Sequence, residues 1–239
     1  MTFRTNVEDA RIYTQRRTNG ENVNYLLADQ NMYDYFSACD GGTPEAPLVE
    51  WAIEQYAGHH AGLVDIGCHV GTWAIPFASE GIPVIAFEAQ PWLGTLCRLS
   101  SILSGVESCV QVVKTALAQS ENFVTLQAPY PDGGGGSIVR TWDDPALTFA
   151  VPTMALDSWH RGSYNRGISL IKIDVEGAEL DVIKGAQGTI RAKRPDIIFE
   201  CWNDELGQRR EDLFRYLQDT LEYEFNPLFW PETYLATSK

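Results

Sequence analysis

The chain has 239 residues, 44% of them hydrophobic, and carries 32 acidic against 18 basic side chains, a formal net charge of −14. So acidic a chain lacks the basic face that binds nucleic acid or an anionic membrane, and we expect neither as a partner. The length suits one domain with a short extension, and the charge favours a neutral or cationic small molecule, or a glycan, as the substrate.

The five cysteines are odd in number and include no Cys-x-x-Cys pair. This favours free thiols in a reducing compartment over a disulfide framework. The N-terminus has no apolar core of the signal-peptide kind, and no run reaches the roughly 20 apolar residues that span a bilayer. We therefore expect a soluble, cytoplasmic protein, and the sequence leaves homo-oligomerisation open.

Residues 1–45 are polar and predict an N-terminal cap of short elements, followed by a main domain over residues 46–239. After a helix predicted at 47–57, strands and helices alternate along the chain. This order predicts a doubly wound, Rossmann-like α/β fold, with a mostly parallel sheet and helices on both faces. The predicted strands begin at Leu63 and then cover 83–88, 109–114, 168–173 and 196–199, and helices are predicted at 91–103, 182–190 and 213–221.

The alternation is interrupted at about 119–156, where a hairpin-rich insertion is predicted. Apolar runs at 123–127, 137–139 and 147–151 favour short strands, and Gly133–Gly136 is a run of four glycines. Such a run is typical of a flexible segment. Two interpretations stay open for it, a surface linker and an active-site lid.

The turn after the first strand reads Asp65-x-Gly67-x-x-x-Gly71, with Cys68 and His69 inside it. A dinucleotide fingerprint, Gly-x-Gly-x-x-Gly, would have its first glycine where this chain has Asp65. A carboxylate at that point repels a pyrophosphate and suits a cation. S-adenosylmethionine carries an ammonium and a sulfonium but no phosphate, so the pattern favours it over a nicotinamide cofactor.

Four of the predicted strands end in an acidic residue: Asp65, Glu88, Asp174 and Glu200. Ligands of an open parallel sheet bind beyond the carboxyl ends of its strands, so we expect these carboxylates at one edge. There they would repel each other unless a cationic ligand lies among them. Glu88, at the end of the second strand, is placed to accept the ribose hydroxyls of a nucleoside cofactor.

The motif around Asp65 and Glu88 resembles the class I methyltransferases that use S-adenosylmethionine. The segment Ile171-Lys-Ile-Asp-Val-Glu-Gly-Ala-Glu-Leu180 is similar to the FkbM family, whose members act mostly as O-methyltransferases on sugars, polyketides and other secondary metabolites. The resemblance extends over residues 60–203 and implies S-adenosylmethionine as the cofactor, with Asp174 and Glu176 at an edge of its site. The candidate cofactor-binding residues are Asp65, Gly67, Cys68, His69, Gly71, Glu88 and Asp174.

Two features depart from the family pattern. Cys68-His69 stands where the family more often has a small residue followed by a polar one, which predicts a changed methionine pocket. Pro76 lies early in the helix after Gly71, and because proline is tolerated only in a first turn, this helix is expected to start late or to kink.

Methyl transfer to a hydroxyl requires an in-line nucleophile and a base that takes its proton. The candidate catalytic bases are Asp174, Glu176 and Glu200. Lys172 has two interpretations, a structural ion pair or a cation that lowers the pKa of a carboxylate. No metal is assigned, and zinc is not expected because histidine and cysteine never fall at ligand spacing. A Mg²⁺ held by Asp174, Glu200 and Asn203 is kept as a variant.

The predicted function is the methylation of a hydroxyl on a small molecule, secondary metabolite or glycan. Two alternatives stay open: a non-catalytic domain that binds the cofactor or mediates assembly, and an NAD-linked oxidoreductase, which Asp65 disfavours. We expect residues 1–45 and 119–156 to build the acceptor pocket. Its candidate lining residues are Tyr130, Trp142, Trp159 and Trp202, although tryptophans are more often core or packing residues.

Overall fold

The computed structural model describes residues 9–58, 62–130, 134–163, 167–202 and 208–239, so the predictions for Gly133 and Asn203 lie outside it. None of the described helices is long and apolar enough to cross a bilayer. In chain order the helices and strands are β1 (Arg11–Arg16), β2 (Asn22–Leu27), α1 (Gln30–Ala38), α2 (Ala46–Tyr56), β3 (Gly62–Ile66), α3 (Ala74–Ser79), β4 (Val84–Phe87), α4 (Pro91–Leu103), β5 (Val110–Val113), β6 (Ala116–Leu117), β7 (Asn122–Ala128), β8 (Leu147–Met154), α5 (Leu156–Ser163), β9 (Ile168–Ile173), α6 (Glu179–Gly185), α7 (Gln187–Lys193), β10 (Asp196–Glu200), α8 (Gln208–Arg215), β11 (Tyr223–Pro227) and β12 (Thr233–Ser238).

Seven strands form the central sheet, in the order β11-β12-β10-β9-β3-β4-β5. The five strands from β10 to β5 run parallel, whereas β12 and β11 join antiparallel at one edge. Side chains of β3 alternate between two apolar cores, with Leu63 packed beside α2 and α3 and Val64 beside α6 and α7. Helices thus cover both faces, and the predicted doubly wound α/β fold is confirmed.

The helix after the glycine turn starts late, as predicted from Pro76. It begins at Ala74, three residues after Gly71, and this places Pro76 in its first turn. Proline is tolerated there because the amides of the first turn have no acceptor within the helix itself.

The predicted helix over 182–190 is in fact two helices, α6 and α7, separated at Ala186. The break lies beside Gly185, where the backbone packs tightly against the segment after β6. A Cβ atom on Gly185 would lie 2.1 Å from the carbonyl oxygen of Ala118. Helical periodicity continues through such a break, which is why the sequence predicts one helix instead of two.

The C-terminal hairpin β11–β12 is not predicted by the sequence analysis. Tyr223 and Ala236 are fully buried in the core beneath the sheet, and Tyr234 is nearly so. An antiparallel hairpin adds strands without a crossover helix, so it leaves no strand–helix alternation in the sequence.

The insertion differs from expectation at 137–139, where the sequence predicts a short strand. In the structure Ser137 forms only an isolated β-bridge with Gln127.

The N-terminal hairpin β1–β2 and helix α1 pack against α3 and α4 through a third apolar cluster, which includes Tyr25, Phe36 and Leu93. Arg17, just after β1, links this region to the main domain. Its side chain is 1% exposed and donates hydrogen bonds to Glu50 at 2.8 Å and Glu80 at 2.6 Å. Both carboxylates belong to the main domain, so Arg17 joins the two regions through charge as well as through apolar packing.

We predict that Arg17→Met destabilises the protein by about 3–5 kcal/mol, because two partly buried carboxylates lose their shared cation. Urea denaturation measures the change in the free energy of unfolding. The matched control is Arg16→Met, which removes an exposed arginine at the neighbouring position. Equal stability of the two variants would contradict the proposed link.

Candidate functional site

A cleft of about 250 Å³, named here the inner cleft, opens at the carboxyl ends of β3, β4, β5 and β9. The chain runs outward from β3 to β4 and β5 on one side, and to β9 and β10 on the other. The inner cleft is therefore at the reversal of strand order, where open α/β sheets bind their ligands. Its strand-end lining residues include Gly67, His69, Glu88, Thr115, Lys172 and Asp174.

Gly67 is required by the close approach of the turns that follow β3 and β9. A Cβ atom there would lie 1.8 Å from the carbonyl oxygen of Asp174, and Gly67 has a φ of +79°. Its amide and that of Cys68 both donate to the carbonyl of Phe87. The turn is thus fixed to β4 on one side and pressed against β9 on the other.

Glu88 is held by the backbone of two turns. Its carboxylate accepts hydrogen bonds from the amides of His69 and Gln90, each at 2.9 Å, and His69 adopts a left-handed φ of 53°. Burial raises the pKa of Glu88 to about 7, although these two hydrogen bonds oppose the shift. A carboxylate has about four acceptor positions, so Glu88 retains capacity toward a ligand in the inner cleft.

Lys172 is buried in the floor of the inner cleft between two carboxylates. Its ammonium lies 3.3 Å from Asp174 Oδ2 and 3.8 Å from Asp65 Oδ1, and it donates to the carbonyl of Gly67 at 3.2 Å. Burial alone would lower the pKa of Lys172, but the charges of Asp174, Asp65 and Glu45 raise it above its usual value. The geometry is that of the structural ion pair considered in the sequence analysis.

Asp65 lies beneath the inner cleft and is fully buried. Neither of its carboxylate oxygens accepts a hydrogen bond from any residue that the structure describes. Burial raises the pKa of Asp65 to about 6, and Lys172 opposes the shift. With all three groups ionised, Asp65, Lys172 and Asp174 carry a net charge of −1, so the floor of the cleft stays acidic.

The predicted cofactor-binding residues thus fall into two groups. Gly67, His69, Glu88 and Asp174 line the inner cleft, whereas Asp65, Cys68 and Gly71 are not among its lining residues. Cys68 is buried beside Cys97, and a hydrogen bond between the two thiols, with burial, raises its pKa. Gly71 packs on Ile75 and Cys97, where a Cβ atom would lie 2.9 Å and 3.1 Å from their side chains.

A larger cavity of about 790 Å³, named here the outer chamber, adjoins the inner cleft. The residues that line both cavities form their shared wall: Tyr35, Pro44, Glu45, Gly135, Asp174 and Glu176. Of the aromatic candidates, Tyr130, Trp142 and Trp202 line the outer chamber. Trp159 instead packs edge-on against Phe87, with ring centroids 5.3 Å apart.

The candidate bases differ in position and in charge state. Asp174 and Glu176 lie on the shared wall, whereas Glu200 lines the outer chamber but not the inner cleft. Burial and the charge of Asp174 raise the pKa of Glu176 to about 7, against the opposing charge of Arg140, whose guanidinium lies 3.0 Å away. Burial and the same charge raise the pKa of Glu200 to about 9, so Glu200 holds a proton at neutral pH.

The insertion is tied to this wall by hydrogen bonds around one side chain. Ser137 donates to the carbonyl of Glu176 at 2.7 Å and accepts from the amides of Val139 and Arg140. Together with the Arg140–Glu176 ion pair, this holds the described part of the glycine run, residues 134–136, against the inner cleft, and Gly135 also lines the outer chamber.

No group of three or more His, Cys, Asp or Glu side chains in the described ranges is arranged to hold a metal ion. The magnesium variant also depends on Asn203, which lies outside those ranges. It stays a hypothesis.

Sequence analysis missed Glu45 and Trp230. Glu45 begins α2 in a left-handed conformation, with a φ of 57°, and its carboxylate accepts a hydrogen bond from Trp73 Nε1 at 3.0 Å. Burial and the charge of Asp174 raise the pKa of Glu45. Trp230 comes from the unpredicted C-terminal hairpin. The turn residues at 41–44 marked a chain reversal before Glu45, but no local pattern connects either residue to the sheet edge.

Comparison with known proteins gives one family match in sequence. A family model described as the methyltransferase FkbM domain matches residues 65–225. No curated protein sequence matches the chain significantly.

Solved structures resemble the fold at low sequence identity. The methyltransferase FkbM from Methylobacillus flagellatus is 17% identical, with a TM-score of 0.51, over 74% of this chain and 43% of that protein. An O-methyltransferase from Bacillus cereus, in complex with S-adenosylhomocysteine, is 14% identical, with a TM-score of 0.56, over 87% of both chains. A Pyrococcus abyssi tRNA (uracil-54, C5)-methyltransferase, also bound to S-adenosylhomocysteine, is 14% identical, with a TM-score of 0.50, over 95% of this chain and 43% of that one. The chain thus spans less than half the length of two of these proteins.

We predict that Lys172→Met lowers the free energy of unfolding by about 3–5 kcal/mol at pH 8, because it leaves the buried Asp65 carboxylate without its cation. The double variant Asp65→Asn/Lys172→Met should recover part of this loss, since the fully buried carboxylate is gone and only the partly exposed Asp174 stays without its cation. Urea denaturation of the double variant and of both single variants, Asp65→Asn and Lys172→Met, with the exposed Lys193→Met as control, measures the coupling. Additive effects of the two substitutions would contradict a buried ion pair.

Proposed function

Since the chain belongs to the FkbM methyltransferase family, we propose that it transfers the methyl group of S-adenosylmethionine to a hydroxyl of a small molecule or glycan. One observation carries the proposal. The inner cleft is lined by carboxylates and lies next to the outer chamber, and Asp174 and Glu176 line both cavities. A cofactor and an acceptor in the two cavities would meet at these carboxylates.

The residues of the inner cleft fit this cofactor better than a dinucleotide. Glu88 can accept the ribose hydroxyls, and the acidic floor beneath Gly67 suits the ammonium and sulfonium of S-adenosylmethionine. Among the described residues that line the inner cleft, Lys172 is the only lysine or arginine, and Asp65 and Asp174 neutralise it. A pyrophosphate would therefore find no free cation there, which argues against an NAD-linked oxidoreductase.

When bound, the cofactor supplies an electrophilic methyl group, and the protein has to orient the acceptor hydroxyl and take its proton. We propose that Glu176 is the general base that accepts the proton of this hydroxyl. Its pKa of about 7 suits a general base at neutral pH, whereas Glu200, with a pKa of about 9, is mostly protonated there. Asp174 is held by Lys172 and serves to fix the floor of the cleft.

The direct test is methyl transfer from labelled S-adenosylmethionine to a panel of hydroxyl-bearing metabolites and glycans, with mass spectrometry of the product. Incorporation into a hydroxyl supports the proposal. Tight cofactor binding without incorporation into any acceptor would instead favour a non-catalytic domain.

Cofactor affinity provides a second prediction. Asp65→Asn removes the net negative charge beneath Gly67 at nearly constant size, so we expect S-adenosylmethionine, which carries both the ammonium and the sulfonium, to bind at least tenfold more weakly, about 1.4 kcal/mol. Isothermal titration calorimetry measures the affinity, with the exposed Glu107→Gln as control. Unchanged affinity in Asp65→Asn would remove the electrostatic basis of the cofactor assignment.

The base assignment predicts a pH profile. Glu176 must be deprotonated to act, so kcat/KM of the wild type should rise with pH through about 7 and then level off. Glu176→Gln keeps an acceptor for Arg140 but cannot take a proton. We expect kcat to fall about 10²–10⁴-fold and the rise near pH 7 to disappear, with S-adenosylhomocysteine affinity within twofold of the wild type. If the pH profile persists in Glu176→Gln, another group is the base.

A further inference from the structure

The walls of the outer chamber are unbalanced in charge. Five carboxylates line it: Asp40, Glu45, Asp174, Glu176 and Glu200. Among the described lining residues the single lysine or arginine is Arg140, which is paired with Glu176 at 3.0 Å, while Asp174 is paired with Lys172 of the inner cleft at 3.3 Å. This leaves Asp40, Glu45 and Glu200 without a lysine or arginine partner among the described residues. A concave site with one excess sign of charge attracts small ions of the opposite sign.

The same chamber is lined by five aromatic side chains from separate parts of the chain: Tyr35, Tyr130, Trp142, Trp202 and Trp230. Tyr35, Tyr130 and Trp202 are 60%, 61% and 49% exposed, so their rings are accessible to a ligand in the chamber. The face of an aromatic ring attracts a cation, and desolvation strengthens the attraction. Carboxylates and exposed aromatic rings around one cavity are the groups that recognise a substituted ammonium.

We propose that the outer chamber binds an acceptor that carries a protonated amine in addition to the hydroxyl that is methylated, such as an amino alcohol or an amino sugar. This inference rests on the proposed function and names its substrate class. A neutral sugar could stack on the same rings, but it would leave the excess carboxylates uncompensated. An anionic acceptor would be repelled by them.

The two ends of the chamber give such an acceptor a direction. Glu176 lies on the shared wall, on the side of the inner cleft, so the hydroxyl belongs there. Glu200 is the last residue of β10 and Trp202 lies two residues later; both line the outer chamber but not the inner cleft. The amine therefore belongs between the carboxylate of Glu200 and the ring of Trp202, away from the methyl group.

The raised pKa of Glu200 agrees with the proposed position of the amine beside it. Burial and the charges of Asp174 and Glu45 raise its pKa, while Lys172 opposes the shift. Glu200 thus keeps a proton, with which it hydrogen-bonds to Asp174, because too little positive charge lies beside these carboxylates. An ammonium bound beside it would supply that charge and favour the ionised carboxylate.

The test uses three probes of one ring size on the full chain, saturated with S-adenosylhomocysteine: trans-4-aminocyclohexanol, trans-1,4-cyclohexanediol and trans-4-hydroxycyclohexanecarboxylate. We expect calorimetry to show the amine bound at least tenfold more tightly than the diol, and the carboxylate more weakly than the diol. Equal affinities, a preference for the diol or the carboxylate, or no binding of any probe would overturn the inference.

Two substitutions in the outer chamber test whether the amine binds between Glu200 and Trp202. Glu200→Gln and Trp202→Leu should each reduce the preference for the amine over the diol about tenfold. Glu224→Gln, an exposed substitution on β11, is the control and should leave all three affinities unchanged. A preference that survives both chamber variants would contradict the assigned position.

The proposed function has a separate readout in the same samples. Labelled S-adenosylmethionine replaces S-adenosylhomocysteine, and methyl incorporation is measured for each probe and for the broader acceptor panel. Incorporation without a preference for amines would leave the methyltransferase proposal standing and defeat the substrate class. A preference in binding without incorporation into any acceptor would defeat catalysis and leave the chamber as a site for amines.

Discussion

The site depends on the contact between the turns that follow β3 and β9, the two central strands of the sheet. Gly67 packs so closely on the backbone of Asp174 that no side chain fits between them. Directly beneath, Lys172 is enclosed by Asp65 and Asp174 and donates to the carbonyl of Gly67. The same ammonium therefore compensates two carboxylates and holds the backbone of the turn at Gly67 in place.

Negative charge in excess of the available cations is the second property of the site. Burial raises the pKa values of Asp65, Glu88, Glu176 and Glu200, and neighbouring carboxylates add to the effect. Such a cluster is unfavourable in the free protein, and a cationic ligand would offset part of that cost. The inner cleft and the outer chamber share this property, which links the proposed cofactor and the proposed acceptor through one electrostatic cause.

The two cavities draw on distant parts of the chain. Tyr35 and Glu45 come from segments that precede the first parallel strand, Arg140 and Trp142 from the insertion, and Trp230 from the C-terminal hairpin. Arg17 fixes the N-terminal hairpin to the main domain, and Ser137 fixes the insertion to the turn at Glu176. The scaffold thus supplies most of the inner cleft, and the additions to it supply most of the wall of the outer chamber.

The sequence by itself determined the α/β fold, the family and the edge of the sheet that carries the carboxylates. Strand periodicity and chain order are local properties, and parallel strands necessarily bring their carboxyl ends together. Only the tertiary structure decided that Asp65 lies beneath the cleft beside Lys172, that Cys68 is buried beside Cys97, and which side chains form the outer chamber. Side-chain direction at a turn, and contacts between segments far apart in the chain, follow from packing of the whole domain. These side-chain directions and long-range contacts cannot be predicted from local sequence patterns.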